Sequence, residues 1–79
     1  MGISRLTAMI IIGNDDLVIS ARKEENNKFA GWITFPERKY YRPIINSEPI
    51  FETEEEAENH MKDLMNEIKK WDFNNEMSN

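Results

Sequence analysis

Two rhythms of apolar residues divide the chain. Arg5 to Ile12 holds the run Ala8-Met9-Ile10-Ile11-Ile12, and its β-branched isoleucines predict a buried strand. Gly13-Asn14-Asp15-Asp16 is a turn cluster, because glycine and asparagine tolerate positive φ and aspartate can bond its own backbone. Leu17, Ile19 and Ala21 then alternate with Val18, Ser20 and Arg22, the period of two of a second strand. These two segments are expected to pair as a hairpin. Lys23 to Gly31 is polar and is predicted to be a loop. Trp32 to Phe35 predicts a third strand, stopped by Pro36. Tyr40 to Ile45 predicts a fourth, held to a sheet edge by Pro43.

After the break at Asn46-Ser47-Glu48-Pro49 the rhythm changes to 3.6. Ala57, Met61, Leu64, Met65, Ile68 and Trp71 form one apolar stripe. Thr53-Glu54-Glu55-Glu56 has the form of a capping box, in which the threonine hydroxyl bonds the Glu56 amide and the Glu56 side chain reaches back. Acidic residues in the first turn and Lys69 and Lys70 in the last complement the helix dipole. The expected fold is therefore α+β: a short antiparallel sheet of three to four strands packed against one C-terminal amphipathic helix. Residues 1–72 read as a single domain, and residues 73–79 as a polar, flexible tail.

Seventy-nine residues without cysteine must draw all their stability from one small core. A cysteine-free chain suits a reducing compartment, which makes a cytoplasmic location the expectation. The longest apolar run is far short of the roughly 20 residues a spanning helix needs. Net charge is −5, unevenly spread. Residues 1–45 carry seven cationic side chains against five anionic ones, and residues 46–79 three against ten. The sheet half is mildly basic and the helix half strongly acidic, an asymmetry that bears on partners.

Catalytic chemistry has little to stand on. There is no cysteine, the single histidine is His60, and the glycines Gly2, Gly13 and Gly31 do not cluster as a phosphate loop requires. No enzymatic activity and no cofactor are expected. Glu56, His60, Asp63 and Glu67 share a helix face at spacings of four, three and four, a geometry that can hold a divalent cation. With one histidine among carboxylates, a solvated face is the expectation, and no metal site is assigned.

Two features can carry a binding function. The first is an acidic ridge. Glu56, Asp63 and Glu67 fall about a quarter-turn from the apolar stripe, with Lys70 as their basic neighbour, while Glu58 stands four before Lys62 on the other flank. Glu48, Glu52, Glu54 and Glu55 carry the charge into the preceding loop. Residues four and seven apart on a helix are about 6 and 10 Å apart, whereas one DNA strand spaces its phosphates by about 3.4 Å. The ridge is sparser than DNA, yet it can occupy several phosphate pockets of a basic groove. Acidic helix faces also serve solubility alone.

The second feature is residues 32–43. Trp32, Arg38, Lys39, Tyr40 and Arg42 interleave rings and cations as a single-stranded nucleic-acid platform does. The same aromatics can instead fill the core, depending on strand register. A third expectation is a homodimer, with an edge strand or Trp71 and Phe73 at its interface.

The segment Gly31-Trp32-Ile33-Thr34-Phe35-Pro36 followed by Arg38-Lys39 resembles the Gly-apolar-Pro-basic segment of the SpoVG septation family, which binds nucleic acid. As a type, the compact, acidic, cysteine-free chain is similar to small phage-encoded host-takeover proteins that imitate DNA. That resemblance implies a basic DNA-binding protein of the host as partner, a nucleoid-associated protein or RNA polymerase. The leading expectation is thus a DNA-mimic inhibitor acting through its acidic ridge, and the alternative is a single-stranded nucleic-acid binder.

Overall fold

The structure, a computed structural model, describes residues 3–38 and 42–71. Its elements run α1 (Arg5–Ile12), β1 (Val18–Lys23), β2 (Phe29–Thr34), a 3-10 turn (Pro36–Arg38), β3 (Ile45–Asn46) and α2 (Glu54–Lys69). The strands form one antiparallel sheet in the order β1-β2-β3. The α+β class and the C-terminal helix are as the sequence indicates.

Residues 5–12 are helical, and the expected first strand does not exist. Ser4 caps the helix, its hydroxyl accepting from the Thr7 amide at 3.1 Å. Ala8 and Ile11, three apart, are fully buried in one cluster with Ile68 of α2. Burial against α2 overrides the strand preference of isoleucine, a weak prior that tertiary packing commonly reverses. The expected hairpin with residues 17–22 goes with that strand.

The hairpin is instead built across the polar stretch predicted to be a loop. Val18 pairs with Thr34 and Lys23 with Phe29, so β2 begins three residues before the predicted strand at Trp32. The reversal lies at Glu24–Lys28. The Asn27 amide donates to the Glu24 carbonyl at 3.0 Å, and Asn27 takes φ 65°, which asparagine accepts readily. Pro36 ends β2 as expected. Of the predicted fourth strand, Ile45 lies in the two-residue strand Ile45–Asn46, which pairs with Ile33 and Trp32 and extends into the expected break. The Tyr40 end of the predicted strand lies outside the described residues, as do residues 72–79.

Register and helix meet at Gly31. A side chain there would point into α2, against Met61 and the Ala57 carbonyl. Gly31 and Ile33 therefore face the helix, and alternation turns Trp32 and Thr34 the other way. Ala57, Met61 and Ile68 of the predicted stripe are fully buried, and Leu64 and Met65 are partly covered. Trp71 lies past the end of α2 and is 39% exposed.

The capping box is formed as read. Thr53 Oγ1 accepts from the Glu56 amide at 3.1 Å, and Glu56 Oε1 accepts from the Thr53 amide at 3.2 Å. Thr53→Ala is expected to lower stability by about 1 kcal/mol, measured by urea denaturation. Thr34 is fully buried and its hydroxyl has no hydrogen-bond partner. Thr34→Val keeps the shape and removes an unsatisfied polar atom. It is expected to raise the melting temperature; a fall would show that the hydroxyl is satisfied in solution.

Candidate interaction surface: an acidic helix flank beside a groove

The long, capped α2 holds its flank residues in fixed relation. Glu56, His60, Asp63 and Glu67 lie along one side of it, all exposed, and Glu54 and Glu55 are exposed in its first turn. Glu48 and Glu52 stand exposed in the segment leading to it. The structure thus places all seven carboxylates of the ridge at the surface, on or just before one helix.

They are not equally available. Glu52 is ion-paired to Lys28 at the end of the hairpin loop. Glu67 has Lys70 at 3.9 Å, the neighbour expected from spacing. The Glu56 carboxylate is fixed at the helix N-terminus, accepting from the amides of Glu52 at 3.1 Å and Thr53 at 3.2 Å. Amide donors order that carboxylate and leave its negative charge in place. Glu48, Glu54, Glu55 and Asp63 make no ion pair with another described residue. Glu58 and Lys62 are not ion-paired either, although their spacing allows it. Lys69 lies on the other side of α2, its Nζ donating to the Asn14 carbonyl at 2.9 Å and lying 3.4 Å from Asp15.

An open groove of about 660 Å³ runs between the start of α1, β3 and the same side of α2. Its lining is mixed: Ile3, Ile44, Ile45, Ile50 and Leu64 supply the apolar part, and six polar residues between Ser4 and His60, Glu48 among them, supply the rest. The His60 ring leans on Phe51, with centroids 5.0 Å apart and planes tilted by 40°. Among the described residues no three histidine, aspartate or glutamate side chains are grouped to hold a metal ion. No helix among them is long and apolar enough to cross a membrane.

The aromatic and basic segment is only partly brought together. Trp32 lies on the sheet face away from α2, half-buried, with the Arg22 guanidinium 4.7 Å from its ring centroid. Arg22 pairs with Ala30, diagonally across from Trp32, so this contact depends on a register that the sequence pattern did not reveal. Arg38 closes the 3-10 turn and Arg42 is exposed, while Lys39 and Tyr40 lie outside the described residues.

Comparison with protein-family models, curated proteins and solved structures finds no match for this chain. The likeness to the septation family rests on the residues quoted above alone, and the likeness to phage DNA mimics on type, with no motif behind it.

Proposed function

We propose that this is a non-enzymatic binding protein of the cytoplasm that offers its acidic helix flank to a basic, nucleic-acid-binding surface of another protein and competes with nucleic acid there. One observation carries the reading. Glu48, Glu54, Glu55 and Asp63 are exposed on or beside one capped helix, and no described cation is paired with them. Glu56 adds a charge already fixed in position. Along the flank Glu56, Asp63 and Glu67 stand seven and four residues apart, about 10 and 6 Å of helix rise, comparable with the Debye length of about 10 Å at 0.1 M salt, so these charges act together on a partner. Holding them on a helix also means that little side-chain or backbone order has to be gained on binding.

Retention of proteins from a bacterial lysate on the immobilised chain tests the proposal. Basic DNA-binding proteins are expected to be held at low salt and released by high salt or by added duplex DNA. Recovery of none at low salt would overturn it.

A second reading has one observation in its favour. Arg22 and Trp32 form a cation–π pair on the sheet face opposite α2, an arrangement on which a base can stack. Under this reading single-stranded DNA shifts with the protein in a gel, and Trp32→Ala abolishes the shift. The net charge of −5 opposes it.

A further inference from the structure

We infer that the groove between α1, β3 and α2 seats an apolar side chain carried within a basic segment of the partner, so that the acidic flank and the groove form one docking site. This rests on the proposed function and specifies how the partner is held.

Charge complementarity commits the site to that occupant. None of the described residues lining the groove is lysine or arginine, and Glu48 is one of them. His60 and Leu64 form its α2 wall, and Glu56, Asp63 and Glu67 lie next round the helix on the solvent side. Ile50, which lines it, is left 65% exposed. Apolar side chains in a groove with carboxylates beside it repeat the usual arrangement of protein interfaces, an apolar centre inside a polar rim. A ligand carrying only positive charge would leave Ile50 and the other apolar side chains of the groove wet. A purely apolar ligand would leave the carboxylates without a counter-charge. A segment combining lysine or arginine with leucine or phenylalanine satisfies both. The groove volume of about 660 Å³ is within the range of roughly 300–1,000 Å³ that ligand sites occupy.

Two synthetic peptides of equal charge test this by fluorescence anisotropy with the full chain: an oligolysine, and a peptide interleaving the same lysines with leucines. The leucine peptide is expected to bind about tenfold more tightly, the factor that covering one aliphatic side chain provides. Ile50→Ser should reduce that advantage severalfold and leave oligolysine binding unchanged. Ile50 is exposed enough for the variant to fold, which an unchanged melting curve verifies. Leu6→Ser, on the 70% exposed outer side of α1, should change neither affinity. Equal affinity of the two peptides, or loss of the advantage in Leu6→Ser and not in Ile50→Ser, overturns the groove inference and leaves the charge-based function standing. Failure of both peptides to bind at low salt overturns the function and the inference with it.

Discussion

Alanine at position 31 is expected to destabilise the fold by about 3 kcal/mol, the upper part of the range for overpacking. A Cβ on Gly31 would collide with Met61 Cγ and stand 2.6 Å from the Ala57 carbonyl oxygen. The methionine can rotate aside, at the expense of a fully buried core residue. The carbonyl belongs to the α2 backbone and cannot. The sheet cannot retreat either, because the Gly31 amide donates to Ser47 Oγ at 2.8 Å and its carbonyl accepts from the Ser47 amide at 2.8 Å. The helix must therefore lift from β2 and weaken its packing over Ile33. Against a total stability of roughly 5–10 kcal/mol for a domain of this size, that is a large fraction. Urea denaturation measures it. A loss below about 1 kcal/mol would show that α2 does not lie this close to the sheet.

Replacing Glu48, Glu54 and Glu55 by Gln and Asp63 by Asn is expected to lower affinity for a polycation by roughly ten- to a hundredfold at low salt. Individual exposed charge contacts contribute about 0.2–1 kcal/mol, and the four act in concert. The difference should shrink as salt rises. Stability should fall by no more than about 1 kcal/mol, since only Glu54 and Glu55 interact with the helix dipole. Glu52→Gln serves as the internal comparison. Its carboxylate is already paired with Lys28, so removing it should change affinity less than removing Asp63. Anisotropy titrations of oligolysine against each variant read both effects. Unchanged affinity in the fourfold variant would remove these carboxylates from the site.

The helix half of the fold was legible because its signals agree with one another. Cap, acidic first turn, apolar period and basic last turn all specify Glu54–Lys69. At the N-terminus they conflict. A run of isoleucines favours a strand, and only the Ser4 cap and the spacing of Ala8 and Ile11 indicate a helix. That conflict is resolved by Ile68, fifty-seven residues downstream, which no local pattern contains. The hairpin was displaced for a related reason. Asn26 and Asn27 mark its turn, but the flanking Lys23, Lys28 and Phe29 do not alternate clearly enough to announce strands. At the site, helical spacing was enough to put Glu56, Asp63 and Glu67 on one flank. The capture of Glu52 by Lys28 and the contact of Lys69 with Asn14 required the tertiary fold. So did the groove, whose walls come from three separate parts of the chain. The Arg22–Trp32 pair depended on register in the same way.

The central claim is that fixed, largely uncompensated negative charge on α2 acts as the binding surface. Titrating the intact protein side by side with oligolysine and with single-stranded DNA, over a series of salt concentrations, tests it most directly. The expected result is oligolysine binding that weakens linearly with the logarithm of salt, with no DNA binding at any concentration. Binding of the DNA strand with indifference to oligolysine would contradict the account and move the function to the opposite face of the sheet.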